Sequence, residues 1–336
     1  MRTMVYHLTK ERTQLVKGIA VLMMLVHHLW GFPARVPDLT LADWQIQIGE
    51  AGKMCVAIFL FLSGYGLTII NRNKTISYAD ITDKIKRTYL LSWKIFFIFI
   101  PIGLIMGGVK YPDVQSVLAN LLLVEYHSGN AEWWFLGTYM ELLLLFPIVH
   151  RIKRYFWIFA ILSGLSMRFL SGYTDEISNE ILKSHIYFIT YYYCAFIIGV
   201  TFARYSIFEW LCRELGNNRV AYFLFLLSII GICFVIRIKI DFTFITFIIV
   251  PFFILLLTIW DWSKTFTLIG LFLGKHSMNL WLIHPFFCTS FLQPMLMKVS
   301  FYNSFLALIL LILSSILSSI VINKFWKKIK TLLYNE

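Results

Sequence analysis

Apolar residues run through this chain in long, nearly unbroken stretches, separated by short polar turns rich in lysine and arginine. Several stretches are apolar all round and approach the ~20 residues that a bilayer core requires, unlike the one-sided helices of a soluble domain. The pattern predicts spans at 15–32, 51–71, 89–108, 132–150, 155–171, 185–203, 219–237, 242–260, 276–297 and 303–324. Segment 113–127 is too short to cross comfortably and reads as an interfacial or re-entrant helix leading into Glu132, Trp133 and Trp134. The predicted fold class is therefore all-α, a polytopic transmembrane helical bundle of about ten spans. No internal repeat, low-complexity region or soluble domain interrupts it, so residues 1–336 read as a single membrane domain. Lys10, Arg12 and Lys17 precede the first apolar run as in a signal peptide, but no small-residue cleavage site follows. It reads as an uncleaved first span.

Composition supports this picture. The chain is 59% hydrophobic and only 14% charged, against about a quarter charged in a soluble domain. Its net charge of +12 does not point to nucleic acid, because the cations sit at the ends of apolar runs and form no compact basic patch. One set of loops carries Arg72, Lys74, Lys84, Lys86 and Arg87, then Arg151, Lys153 and Arg154, then Arg204, Arg213 and Arg219, then Lys264 and Lys275. The alternate set is poorer in cations and holds Asp38, Asp43, Asp113, Glu125, Asp175, Glu176 and Glu180. By the positive-inside rule both termini are cytoplasmic, in a multi-pass protein of the inner or plasma membrane. The five cysteines form no C-x-x-C pair, so neither a disulfide framework nor structural zinc is expected. The remaining histidines, His7, His127, His150, His185 and His276, show no metal-ligand spacing.

Ionisable groups inside apolar helices are expensive and therefore informative. In KGIAVLMMLVHHLW, Lys17 and His28 are eleven residues apart. At about 100° and 1.5 Å per residue they share a face, roughly 16 Å apart along the axis. His27 and His28 followed by Trp30 can be an interfacial anchor, or one histidine can be a general base or nucleophile. His28 is favoured because it alone stacks above Lys17. Lys84, Arg87 and Lys94 form a stripe with Leu91 at 3-4-3 spacing. Snorkelling anchors explain the first two, whereas a ladder of cations entering the span suits a phosphate-bearing ligand. In EWWFLGTYMELLLLFPIV, Trp134 and Glu141 share a face with Tyr139 between them, and Glu141 needs a partner, Lys94 or a cation of another span. In SMNLWLIHPFF, Pro285 frees a carbonyl one turn before it, and His284 is either a bonded core residue or a cavity-lining one. In FLFLSGYGL, Ser63 and Gly64 read as a small-residue helix contact and not as a nucleophile elbow.

Taken in order, KGIAVLMMLVHH, FLFLSGYGL, KIKR, WFLGTY and SMNLWLIHP resemble the acyltransferase-3 family of integral membrane acyltransferases, from about residue 12 to about residue 324. The resemblance implies a membrane O-acyltransferase that moves an acyl group, usually acetyl, from cytoplasmic acyl-CoA to a hydroxyl of a cell-surface or exported polysaccharide or its lipid-linked precursor. Its Arg-ten-residues-His pattern falls on Lys17 and His28, and its Arg-x-x-Arg pattern on Lys84 and Arg87. Where many members carry a glutamate five residues after a tryptophan, Tyr139 stands, with Glu141 the nearest carboxylate. The expected catalytic set is His28, Tyr139 and Glu141. Lys17, Lys84, Arg87 and Lys94 are expected to bind acetyl-CoA; His27, Trp134 and His284 are expected at the acceptor; no metal is expected. The expected partners are acyl-CoA, a glycan or lipid-linked glycan and membrane lipid, without nucleic acid. A transporter or flippase of a polysaccharide precursor is the competing reading, and it would take up labelled substrate without CoA. A non-catalytic scaffold would dispense with His28.

Overall fold

The structure is a computed structural model and describes residues 8–126, 128–214, 219–240 and 244–334. His7 and His127 lie outside the described residues. The helices are α1 (Lys10–Trp30), α2 (Asp43–Gly52), α3 (Met54–Ile70), α4 (Tyr78–Ile105), α5 (Val114–Leu121), α6 (Trp134–Arg151) and α7 (Phe156–Leu170). There follow α8 (Glu180–Arg204), α9 (Ile207–Glu214), α10 (Arg219–Ile240), α11 (Ile245–Ile259), α12 (Lys264–Cys288), α13 (Gln293–Val299) and α14 (Ser304–Tyr334). Short 3₁₀ turns stand at Pro33–Arg35, Ala131–Trp133 and Ser171–Glu176. Among the described residues there is no strand.

Among the described residues eight helical stretches are long and apolar enough to cross a membrane. The expected seventh and eighth spans form as α10, with 22 residues, and α11, with 15. At about 1.5 Å per residue, α11 is roughly 22 Å long, less than the hydrocarbon thickness of a bilayer. The bundle is polytopic and all-α, as expected, and α10 and α11 stand where the seventh and eighth spans were placed. The third span begins at Tyr78 and not near residue 89, which puts Lys84, Arg87 and Lys94 on one helix.

Helix α14 shows how such a bundle inverts the soluble pattern. Phe305, Ile309, Leu313, Leu317 and Val321 recur every fourth residue and are all more than half exposed. Ala307, Leu311, Ser315 and Ser319 lie on the other side and are fully buried. An apolar exterior over a small and polar interior is stable only against lipid. Ser319 faces polar partners: Asn279 Nδ2 donates to its Oγ at 2.9 Å, and His276 Nδ1 lies 2.7 Å from the same oxygen.

The chain folds as two compact units, each built from separate stretches. The first comprises Met1–Ala20, Met54–Ile81 and Glu141–Gly274; the second comprises Val21–Lys53, Thr82–Met140 and Lys275–Glu336. In the first, α3 and α8 approach closely because glycine stands at the crossing. A Cβ at Gly64 would lie 2.3 Å from the Phe196 carbonyl oxygen, and one at Gly199 would lie 2.1 Å from that of Phe61. The Ser63 hydroxyl donates to Phe59 O at 2.8 Å, within its own helix. In the second unit, segment 113–127 folds as the eight-residue α5. Asp113 caps it by accepting the Ser116 N–H at 2.7 Å. That bond and the Ser116 hydroxyl hold the Asp113 carboxyl below the usual carboxylate range. The other end of α5 is tied to α4, where Trp93 Nε1 donates to Leu121 O and the Tyr89 hydroxyl donates to Leu122 O, each at 2.9 Å. All five cysteines are free thiols.

Candidate active site

The second unit gathers His27, His28, Arg35, Asn130, Glu132, Trp134 and His284. Neighbouring residues on a helix point about 100° apart, so the histidine pair of α1 divides its duties. His27 turns toward α2, where its Nδ1 lies 2.8 Å from Gly49 O. A carbonyl can only accept, so Nδ1 carries the hydrogen. Glycine permits this approach, since a Cβ at Gly49 would lie 2.3 Å from Gly31 N. His27 is thereby a clamp between two helices.

His28 turns the other way. Its Nε2 lies 3.7 Å from Glu132 Oε2, and its ring centroid lies 4.7 Å from that of His284. Glu132 sits in the one-turn 3₁₀ helix before α6, and Asn130 Oδ1 accepts its backbone N–H at 3.1 Å. The carboxylate is buried and shared. Arg35 Nη1 donates to Oε1 at 2.8 Å, and Trp134 Nε1 donates to Oε2 at 3.2 Å. Arg35 in turn lies over the Phe32 ring at 4.2 Å. A buried carboxylate is tolerable only with such partners.

Pro285 organises the opposite wall. It has no N–H, so the Trp281 carbonyl one turn earlier loses its helical donor. His284 Nδ1 takes that place, 2.9 Å from Trp281 O and 3.1 Å from Leu280 O. Two further side chains anchor on the same turn, for Asn130 Nδ2 and Trp133 Nε1 each donate to Leu282 O at 3.2 Å. The kink therefore fixes both His284 and the turn that carries Glu132. With Nδ1 donating, His284 Nε2 holds a lone pair. It and His28 Nδ1 are buried without a hydrogen-bond partner among the described residues. Each such atom costs about 1–3 kcal/mol, and two in adjoining rings point to a group that transfers or orients a proton.

The chemistry of this arrangement follows from the tautomers. His28 Nε2 faces Glu132 at 3.7 Å, longer than a hydrogen bond, and the tautomer with its hydrogen on Nε2 leaves the lone pair on Nδ1. An orienting carboxylate, an imidazole and a free lone pair are the parts of a general base for a hydroxyl nucleophile.

Against this geometry stands one comparison with known proteins. A family model described as an acyltransferase domain matches residues 13–324. The chain belongs to the acyltransferase-3 family. No curated protein and no solved structure matches. The acyltransferase is thus a membrane enzyme with several spans, and the His28 cluster lies inside the matched range.

Of the residues singled out from sequence, the structure brings His27, His28, Trp134 and His284 of the acyltransferase together. Glu141 belongs to the first unit, where its Oε1 lies 2.5 Å from His185 Nδ1. Its partner is thus a histidine of α8 and not Lys94. Tyr139 stands partly buried on α6. Lys84, Arg87 and Lys94 follow one another along α4, with the Lys94 carbonyl accepting Trp326 Nε1 at 3.3 Å. Lys17 shares α1 with His28 but falls in the first unit. Among the described residues no three His, Cys, Asp or Glu side chains are grouped to hold a metal ion.

Glu132, Arg35 and Asn130 escaped the sequence reading. Arg35 was the available signal, being a lone arginine seven residues after His28 in the cation-poor set of loops. Such a residue asks for a buried carboxylate, and Glu132 stands at the first position of the predicted span 132–150.

Proposed function

We propose that this acyltransferase moves an acetyl group from acyl-CoA to a hydroxyl of a cell-surface or exported polysaccharide, or of its lipid-linked precursor, with His28 as general base. The observation that carries the reading is the pairing of His28 Nε2 with Glu132 while Nδ1 is buried without a partner. His28 Nδ1 takes the proton of the acceptor hydroxyl as its oxygen attacks the thioester carbonyl carbon. The tetrahedral intermediate collapses, the carbon–sulfur bond breaks, and the departing CoA sulfur receives that proton from the His28 imidazolium. Glu132 holds the imidazole in the productive tautomer and balances the imidazolium, as in other base–orienter pairs. His284 Nε2 accepts a hydrogen bond from the glycan and orients it.

The donor's phosphates meet Lys84 and Arg87 on α4, with Lys94 further along the same helix and Lys17 roughly 16 Å before His28 on α1. Lysine supplies charge at two of these positions without the arginine fork. Both termini are assigned to the cytoplasmic side of the inner or plasma membrane, which puts these cations at the cytoplasmic mouth.

The test is acetyl-CoA binding and acetyl transfer by purified protein, with wild type beside His28→Ala and Arg87→Ala. Turnover by wild type, binding without turnover by His28→Ala and weakened binding by Arg87→Ala support the reading. A His28→Ala variant that still transfers acetyl removes His28 from the reaction. Absence of any CoA binding by wild type removes the donor and turns attention to uptake of labelled glycan precursor.

A further inference from the structure

The first unit holds a second concentration of charge. A cavity of about 570 Å³ is lined by Arg72, Lys74, His150, Lys153 and Arg204 among others, and no carboxylate lines it. These residues follow or close three helices: Arg72 and Lys74 after α3, His150 and Lys153 at the end of α6, Arg204 at the end of α8. None of the four cations is bridged to a carboxylate among the described residues. Asp80, the acid that feels the charge of Lys74, is held instead by Ser77, accepting its N–H at 2.9 Å and its hydroxyl at 2.7 Å.

The ordinary reading of such residues is that they complement helix C-termini and the cytoplasmic membrane surface. It accounts for part of what is present. Arg72 Nη2 donates to Ala203 O at 2.7 Å and to Ser206 Oγ at 3.0 Å. Arg204 donates through Nη2 to His150 O at 3.0 Å and through Nη1 to Ile152 O. A guanidinium has five N–H donors, so both forks are fixed in place with donors to spare. The ordinary reading does not account for two lysines and a histidine on the same cavity. His150 is 8% exposed, its Nε2–H donates to Lys74 O at 3.1 Å, and its buried Nδ1 has no partner among the described residues. Four like charges around one cavity repel each other, and an anion between them relieves the repulsion.

We propose that this cavity is a binding site for a phosphate group, carried either by an anionic lipid headgroup or by a soluble phosphate ester. The two arginines present pre-positioned forks to phosphate oxygens, and the lysines close over them as point charges. His150 adds a ring nitrogen, Nδ1, that is buried without a partner among the described residues. The site is separate from the donor cations on α4 and stands whether or not acyl-CoA is the donor.

The experiment uses the full chain carrying Lys84→Ala and Arg87→Ala, so that α4 does not contribute. In nanodiscs of phosphatidylcholine it is titrated with inorganic pyrophosphate by calorimetry at low salt. In parallel, native mass spectrometry reads retention of phosphatidylglycerol from mixed vesicles. Lys74→Gln with Lys153→Gln is the informative change, since both side chains are exposed and folding does not depend on them. At least one probe is expected to bind, and the double substitution weakens it about tenfold, with a smaller loss for His150→Gln. A pyrophosphate effect assigns a soluble ester; a phosphatidylglycerol effect without pyrophosphate binding assigns a lipid. Binding of neither probe, or equal binding with and without the two lysines, overturns the proposal.

Discussion

Two histidine–carboxylate pairs lie among the described residues, one in each unit, and they differ in construction. In the first unit His185 Nδ1 and Glu141 Oε1 are 2.5 Å apart, joining α8 to α6 directly. In the second unit His28 Nε2 and Glu132 Oε2 are 3.7 Å apart, and Glu132 is already bonded by Arg35 and Trp134. The carboxylate of the first pair is committed to its histidine. The carboxylate of the second is held by other donors, so its imidazole is oriented without being consumed. The second pair is also the drier, with side chains 7% and 11% exposed against 20% and 26%. Under the proposed function the short contact is a strut, and the longer contact, with an unpartnered ring nitrogen beyond it, is the base.

The largest effect that tests this comparison is loss of His28. His28→Ala should lower acetyl transfer about 100- to 10,000-fold, the usual contribution of a general base, while the protein still folds. Near-normal turnover would put the two pairs in one class. Next in size is Glu132→Gln, which keeps the shape and removes the charge that orients His28. A loss of about 100-fold or more is expected, with partial recovery in Glu132→Asp; a purely structural glutamate would show no such recovery. Pro285→Ala ranks third. It returns an N–H to compete with His284 for the Trp281 carbonyl, so turnover should fall several-fold with little change in thermal stability. A loss of stability without loss of turnover would make the kink a packing feature only.

How much of this was legible beforehand depended on whether the signal was local. The bundle was legible because apolar length is local, and so was the close approach at Gly64, because small residues in an apolar run have few other uses. His28 stood out by its register with Lys17. The carboxylate did not. Glu141 lies within an apolar span and Glu132 at its first position, so hydropathy directs attention to Glu141. What separates them is which helix each one meets, α8 for Glu141 and α1 for Glu132, and both are distant in sequence. The shortness of α11 was hidden for a related reason, since an apolar run shows its composition but not where a helix turns.

The smallest expected effect completes the comparison from the other side. Glu141→Gln removes the charge from the strut and leaves a neutral contact to His185, in a pair that is partly exposed. Stability should fall by about 1 kcal/mol, less than for a fully buried pair, which thermal unfolding in detergent would register as a shift of a few degrees. Transfer at a temperature well below unfolding should change less than about threefold, since a strut affects rate only through the folded population. His185→Gln should behave alike, and the double substitution should cost little more than either one, because both remove the same contact. A loss of turnover in Glu141→Gln comparable to that in Glu132→Gln would restore Glu141 to the reaction, and contact length would then no longer separate strut from base.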